Sequence, residues 1–90
     1  MNFNIEKSIY CDLKKISNPR VNAEVEKAVL AVKAAVKPKD IPKLRKLEGY
    51  KKDIYYRIRA GRYRIGVTIE GGLVTFVRCL HRKDFYKYFP

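Results

Sequence analysis

Residues 54–64 constrain the fold more than any other stretch, because their side chains alternate between two chemical characters. The side chains of a β-strand point alternately to the two faces of its sheet. One face of a strand here would carry Ile54, Tyr56, Ile58 and Ala60, and the other would carry Tyr55, Arg57 and Arg59. The alternation therefore predicts a strand with an apolar face, suited to a core, and an opposite cationic face.

Gly61 and Arg62 predict a two-residue hairpin turn that leads from this strand into a second one. Glycine readily takes the positive φ that such a turn needs at its first position. The turn would place Arg59 directly opposite Arg64, and the second strand would extend the apolar face with Tyr63, Ile65, Val67 and Ile69. Two arginines across a ladder repel each other. The gathering of Arg57, Arg59 and Arg64 on the cationic face therefore indicates a surface for an anion.

The length and the charge of the chain limit its organisation and its partners. With 90 residues the chain can form one small hydrophobic core, so we expect a single domain over residues 1–90. Lysine and arginine number 21 against 9 aspartates and glutamates, and the formal net charge is +12. A charge of this size favours nucleic acid, an anionic membrane or an acidic protein as the partner. The alternative is a basic surface that serves only solubility.

The two cysteines, Cys11 and Cys79, lie far apart in a chain with one histidine. This spacing supports neither a zinc site nor a disulfide framework, so we expect no metal, no other cofactor and two reduced thiols. No apolar run approaches the ~20 residues of a membrane span, and the first residues lack the apolar segment of a signal peptide. These features predict no membrane partner and a cytoplasmic location.

The remaining sequence predicts the element order β-α-α-β-β-β with a short C-terminal helix. Residues 2–5 have strand spacing, residues 7–17 have a helical apolar period, and an Asn-Pro pair begins a second helix over about residues 19–37. Residues 38–52 are expected to be irregular. The fold class is α+β, with the N-terminal strand and a helical hairpin packed on one face of a small antiparallel sheet. The cationic face of that sheet would be open.

A second turn, Gly71-Gly72, predicts the last strand of the sheet. With Glu70 opposite Leu73, the apolar face would receive Val74, Phe76 and Leu80, and the cationic face would receive Thr75, Val77, Cys79 and His81. Arg78 falls on the apolar face in this register. Either it lies at the rim of the core with its stem buried, or a β-bulge shifts the register.

Basic side chains are concentrated immediately before the arginine strand. The candidates for contact with nucleic-acid phosphates are Lys43, Arg45, Lys46, Lys51 and Lys52, together with Arg59 of the strand. Lysine and arginine beside an anion-binding surface are suited to such contacts. A charged run is equally compatible with a solvated face that binds nothing.

Three segments carry a family resemblance. They are Leu-Glu-Gly-Tyr at 47–50, Tyr-Arg-Ile-Arg-Ala-Gly-Arg-Tyr-Arg-Ile at 56–65, and Val-Arg-Cys-Leu-His-Arg-Lys-Asp-Phe-Tyr at 77–86. Together they resemble the RelE/ParE superfamily of toxins from toxin–antitoxin systems. A helical hairpin followed by a β-meander is also the order of that family, so the resemblance covers nearly the whole chain. It implies a toxin that an acidic antitoxin neutralises in a hetero-oligomeric complex.

The two branches of this superfamily imply different targets. RelE-type toxins are ribosome-dependent endoribonucleases that cut messenger RNA, whereas ParE-type toxins poison DNA gyrase. We interpret the chain as a RelE-type mRNA interferase that inhibits translation, with the ribosome and messenger RNA as its targets. The alternatives are a ParE-like gyrase inhibitor without nuclease activity and a non-catalytic basic RNA-binding module.

The resemblance also implies a set of site residues by position. Arg57 takes the place of a catalytic basic residue that is often lysine, and Arg64 matches the arginine associated with the scissile phosphate. Arg82 and Tyr86 match a basic residue and a tyrosine near the C-terminus. Cleavage without a metal ion requires positive charge at the transition state, a base and a proton donor. The arginines supply the charge, Tyr86 could stack on a base or position the phosphate, and His81 exchanges protons near neutral pH.

Arg57 departs from the family pattern in a way that affects the chemistry. A guanidinium stays protonated at physiological pH and is therefore a poor base. The remaining candidates for the base are His81, Lys51, Lys52, Glu48 and Asp53. Structural interpretations stand beside the catalytic ones, because His81 could only hydrogen-bond at a strand end, Tyr86 could only cap the core, and Arg59 could only bind the antitoxin.

Overall fold

The computed structural model describes residues 1–90 as one mixed sheet with helices on one face. The strands are β1 (Asn2–Ile5), β2 (Leu44–Lys46), β3 (Tyr55–Ala60), β4 (Tyr63–Glu70) and β5 (Leu73–His81), and the helices are α1 (Lys7–Ile16), α2 (Pro19–Ala34) and α3 (Phe85–Tyr88). The strand order is β1-β5-β4-β3-β2. The predicted α+β class and the order of helices and hairpins are confirmed.

The sheet departs from the predicted one at both edges. β1 runs parallel to β5, whereas all other neighbouring strands are antiparallel. Residues 44–46 were predicted to be irregular, but they form β2, with Leu44 opposite Ile58 and Arg45 opposite Arg57. A strand of three residues is too short to show a period in the sequence, so only its pairing with β3 reveals it.

The two long helices begin where their sequence signals predict, and the second ends early. The Asn18 side chain accepts a hydrogen bond from the Arg20 N–H at 2.9 Å, and Pro19 is the first residue of α2. The helix ends at Ala34, short of the predicted residue 37. The Asp40 carboxylate accepts hydrogen bonds from the N–H groups of Val36 and Lys37 at 3.3 and 3.2 Å, which gives those donors a partner outside the helix. None of the helices combines the length and the apolar character that a membrane crossing requires.

The main core lies between α1, α2 and the apolar face of the sheet. Its helical members are Ile9, Val21, Val25, Ala28 and Val32, and its sheet members include Ile58, Ala60, Ile65, Val67, Val74, Phe76 and Cys79. Each fully buried valine, isoleucine or phenylalanine side chain contributes roughly 1.5–3 kcal/mol. The alternation predicted for β3 and β4 is confirmed, because Ile58, Ala60, Ile65 and Val67 are buried in this core while Arg57 and Arg59 are not.

A second, smaller cluster lies on the opposite face of the sheet. Leu47, Phe85 and Phe89 form it, and Tyr55, Val77 and Leu80 pack against it. The prediction that this face is open is therefore wrong for the part that α3 covers. The sequence of the C-terminal segment shows aromatic residues but not which face of the sheet they reach.

A β-bulge reverses the alternation of β5. Val67 lies opposite Phe76 and Gly66 lies opposite Arg78, so Val77 is an extra residue in β5 at this point. After the bulge, Cys79 is buried in the main core and Leu80 packs against the second cluster. The predicted faces of Cys79 and Leu80 are therefore wrong. Of the two explanations that the sequence allowed for Arg78, the structure shows the β-bulge.

Candidate anion-binding site

The cationic face is assembled from three adjacent strands. Arg59 lies opposite Arg64 in the β3–β4 ladder, and Arg57 lies opposite Arg45 in the β2–β3 ladder. Residues directly opposite each other project on the same side of a sheet, so the four arginines share this face. Arg45 and Arg59 are exposed, while Arg57 and Arg64 are half-buried. The short strand β2 thus adds a fourth arginine to the predicted patch.

Arg64 occupies the centre of this arrangement and is held in place by the hairpin turn. Its Nη1 donates hydrogen bonds to the carbonyl oxygens of Gly61 at 2.8 Å and Tyr63 at 3.0 Å. Burial lowers the pKa of the Arg64 guanidinium below its ordinary value, and the charges of Arg57, Arg59 and Arg82 lower it further. A bound anion would relieve this repulsion, so the arrangement favours a negatively charged ligand.

The C-terminal segment brings Arg82 and Tyr86 to the same place. The Arg82 N–H donates to the carbonyl oxygen of Arg62 at 2.9 Å, which ties the segment to the hairpin turn. Tyr86 is 60% exposed, and it is close enough to Arg64 to raise the pKa of that guanidinium against the effect of burial. Five of the residues predicted from the sequence therefore lie together, namely Arg57, Arg59, Arg64, Arg82 and Tyr86.

His81 lies on the other face of the sheet. It is opposite Tyr63, whose ring packs against the main core, and the two ring centroids are 5.3 Å apart in an edge-to-face contact. Its Nδ1 accepts a hydrogen bond from the Lys83 N–H at 3.2 Å. The expectation that His81 lies beside Arg64 is therefore wrong. The β-bulge in β5 is the cause, because it exchanges the faces of all the residues that follow it.

The basic segment before β3 divides between the two faces. Arg45 joins the cationic face, whereas Lys46 lies opposite Tyr56 on the helix side and forms an ion pair with Asp53 at 3.4 Å. Lys43, Lys51 and Lys52 are exposed in loops. Of the residues predicted to contact phosphates, Arg45 therefore shares the cationic face with Arg59, and Lys46 does not.

No pattern in the sequence predicted a partly buried ion pair that joins α1 to β5. Asp12 of α1 accepts hydrogen bonds from Arg78 Nε at 2.8 Å, from Arg78 Nη2 at 3.0 Å and from the Cys79 N–H at 3.0 Å. The hydrogen bond to Asp12 is the main cause that raises the pKa of Arg78, and burial opposes it. The one available signal was Arg78 itself, since the predicted register placed it on the apolar face, where an arginine requires an acidic partner.

The thiol of Cys79 is inactivated by its surroundings. Burial, with a smaller contribution from the Asp12 carboxylate, raises the pKa of Cys79 to about 12. Cys11 is exposed on α1, and neither cysteine is in a disulfide. Cys79 therefore contributes to packing.

Sequence comparison finds a toxin among the characterised relatives. The chain is 51% identical over 47 residues to toxin RelE3 of Methanocaldococcus jannaschii, a match that covers 52% of this chain and 51% of that toxin. The match thus spans about half the length of that relative. No model of a protein family matches the sequence.

Comparison with solved structures extends the similarity to the whole chain. A chain of the RelB–RelE antitoxin–toxin complex from Methanococcus jannaschii matches with a TM-score of 0.76 and 32% identity, over 97% of this chain and 99% of the other. The YoeB dimer from Staphylococcus aureus matches with a TM-score of 0.66 and 16% identity, over 91% and 97% of the chains. YafQ from Escherichia coli BL21(DE3) matches with a TM-score of 0.67 and 10% identity, over 91% and 93%. At these last two identities the likeness concerns the fold alone.

Proposed function

The chain belongs to the RelE family of toxins of toxin–antitoxin systems, and we propose that it is a ribosome-dependent endoribonuclease that cleaves messenger RNA and thereby inhibits translation. The observation that carries the proposal is the position of Arg64. Its guanidinium is fixed by two carbonyl oxygens and lies among Arg57, Arg59 and Arg82, with the exposed ring of Tyr86 nearby. Such a site suits a phosphodiester flanked by bases.

The proposed reaction uses the RNA's own 2′-hydroxyl as the nucleophile. Its oxygen forms a bond to the adjacent phosphorus while the bond from phosphorus to the 5′-oxygen breaks, which leaves a cyclic phosphate and a 5′-hydroxyl. Negative charge increases on the non-bridging oxygens in the transition state, and fixed cations stabilise that charge. We assign this role to Arg64 and Arg57, because both are half-buried on the cationic face. Arg59 and Arg82 would hold the neighbouring phosphates.

The two proton transfers of the proposed reaction require groups near the cationic face that can lose or gain a proton. The arginines cannot, since they remain protonated. His81 lies on the other face and Asp53 pairs with Lys46, so neither is placed for the task. The candidates that remain are the exposed loop residues Glu48, Lys51 and Lys52, and groups of the ribosome itself. Tyr86 would position the phosphate or stack on a flanking base.

We further propose an acidic antitoxin as the partner that silences the protein, in a toxin–antitoxin hetero-oligomer in the cytoplasm. A formal charge of +12 on 90 residues gives an acidic chain a strong electrostatic attraction to this surface. The relative from Methanococcus jannaschii is itself part of an antitoxin–toxin complex. An antitoxin that covers the cationic face would keep RNA from Arg64.

Two assays on the purified protein test the proposal against its alternatives. In a reconstituted translation system, primer extension on a translated message should show new 5′ ends within the coding region, and none on the same message without ribosomes. A message that stays intact while DNA gyrase loses supercoiling activity would instead make the protein a ParE-like inhibitor. If the message stays intact, gyrase is unaffected and the protein still binds ribosomes, the protein is a non-catalytic RNA-binding module.

A further inference from the structure

Gly66 in the middle of β4 makes room for an aromatic ring from the C-terminus. A Cβ atom built on Gly66 would lie 2.7 Å from both Cγ and Cδ1 of Phe89, closer than real Cβ contacts allow. Gly66 does not have a positive φ. The position therefore requires glycine because of the space that Phe89 occupies and not because of the backbone conformation.

Phe89 is thereby buried on the cationic side of the sheet. Its side chain is 3% exposed, its ring centroid is 5.3 Å from that of Phe85, and it meets Tyr55 edge-to-face at 6.0 Å. Phe85 is fully buried in the same cluster. The four-residue helix α3 is therefore held to the sheet at both ends.

These two attachments determine where Tyr86 can lie. Tyr86 follows Phe85 in α3, and its ring packs edge-to-face on Phe85 with the centroids 5.0 Å apart. Gly66 lies opposite Arg57 and is on the same face as Arg64. The seat of Phe89 is thus immediately beside the arginines, and a helix fixed at that seat carries Tyr86 to Arg64.

We propose that Phe89, seated on Gly66, is a positioning residue that holds Tyr86 beside Arg64 for RNA cleavage. Phe89 itself is buried and contributes through Tyr86, since catalytic groups must be held within a narrow range of positions. The catalytic half of this inference rests on the proposed function. The structural half states that Phe89 fixes Tyr86 near Arg64, and it does not depend on the proposed function.

A double-mutant cycle in single-turnover cleavage tests the catalytic half. The variants are Tyr86→Ala, Phe89→Ala and their combination, assayed on ribosome-bound message. We expect Phe89→Ala to slow cleavage by about 10-fold or more, and the combination to be no slower than Tyr86→Ala alone. Losses that multiply in the combination would show that Phe89 acts independently of Tyr86 and would overturn the proposal.

The structural half is tested in the free protein by NMR. Tyr86→Ala should shift the Arg64 Nε–H resonance in the otherwise natural chain and should leave it unmoved in the Phe89→Ala background. An equal shift in both backgrounds would overturn the proposal, whether or not the protein cleaves RNA. If cleavage is absent from the natural chain, the proposed function fails while this measurement still decides the positioning.

Two further variants separate positioning from stability. Phe3→Ala is the matched control, because Phe3 packs edge-to-face on Phe76 at 6.4 Å in the main core. It should lower the melting temperature as Phe89→Ala does, yet keep the response of Arg64 to Tyr86→Ala. If Phe89→Ala does not fold, Phe89→Leu replaces it in both cycles.

Gly66→Ala, which obstructs the seat, should reproduce the loss seen with the Phe89 variants, and natural rates in a folded Gly66→Ala protein would contradict the inference.

Discussion

Arg59 and Arg64 face each other directly across the β3–β4 ladder, next to the turn that joins the two strands. Two like charges in this position cost some tenths of a kcal/mol relative to a neutral pair. The carbonyl oxygens of Gly61 and Tyr63 hold Arg64 in place despite this repulsion. The sheet therefore holds two cations side by side, as a site that binds an anion requires.

Arg64→Ala is the first prediction. Removing the central guanidinium should lower the cleavage rate on the ribosome by about 10²–10³-fold, the usual loss for one fixed donor at a transition state. The melting temperature should hardly change, because the side chain lies outside the core. Arg20→Ala, an exposed arginine at the start of α2, serves as the control and should cleave normally. Growth inhibition by a folded, fully expressed Arg64→Ala variant would remove Arg64 from the site.

His81→Gln is expected to have little effect on cleavage. The sequence left His81 as one of several candidates for proton transfer, and loss of such a group typically costs about 10²–10⁴-fold. Its contact with Tyr63 on the helix side places it away from Arg64, so we expect less than about a 10-fold change in the single-turnover rate. A loss of about 10²-fold or more, with an unchanged melting temperature, would return His81 to the chemistry.

Arg45→Gln and Lys46→Gln form a matched pair for ribosome binding. These neighbours differ in the face that they occupy, since Arg45 lies opposite Arg57 and Lys46 pairs with Asp53. Each cation that contacts a phosphate contributes about one unit to the slope of log affinity against log salt. Arg45→Gln should therefore lower that slope by about one and Lys46→Gln should not. If the two variants gave equal slopes, the face of β2 that a residue occupies would not determine whether it contacts a phosphate of the ribosome.

Asp12→Ala should be the most destabilising exchange of a charged residue. Asp12 is buried and satisfies both Arg78 and the Cys79 N–H, so its loss leaves a partly buried guanidinium without its partner. Breaking such a pair costs about 3 kcal/mol of unfolding free energy. Asp53→Ala breaks the exposed pair with Lys46 and should cost less than about 1 kcal/mol. Urea denaturation measures both, and comparable losses would contradict the assignment of Asp12 as a buried anchor.

The two thiols should differ sharply in reactivity. Iodoacetamide at pH 8 should alkylate the exposed Cys11 and leave Cys79 intact in the folded protein, as mass spectrometry of peptides can show. The ordinary pKa of a cysteine thiol is 9.0, and burial raises the pKa of Cys79 to about 12 in the fold. Between about pH 9 and pH 12 the thiol stays protonated in the folded state and ionises in the unfolded state. This thiol therefore lowers the free energy of unfolding as the pH rises through that range. The fall should be smaller in Cys79→Ala, and an identical fall would exclude this linkage.

Much of the fold follows from local patterns that the sequence carries by itself. The alternation of β3 and β4, the glycine turn between them and the Asn18 cap of α2 each depend on a few neighbouring residues, and the structure confirms all three. The opposition of Arg59 and Arg64 follows from the same local rule, because a two-residue turn determines the pairs beside it. The anionic character of the ligand was predicted from these features alone.

The rest was decided by contacts between distant segments. The bulge at Val77 exchanges the faces of Cys79, Leu80 and His81, and it occurs where β5 packs against α1 and Arg78 meets Asp12. The short strand β2 exists only through its pairing with β3. Likewise, the seat that Gly66 offers Phe89 has no signal in the order of the residues. Periodicity reports which residues share a face within one element, whereas a change of register or a docking terminus depends on the shape of the partner surface. The sequence therefore determined the arginines of the hairpin, and its family resemblance already indicated Tyr86, whereas only the tertiary structure decided that Arg45 shares their face and that His81 does not.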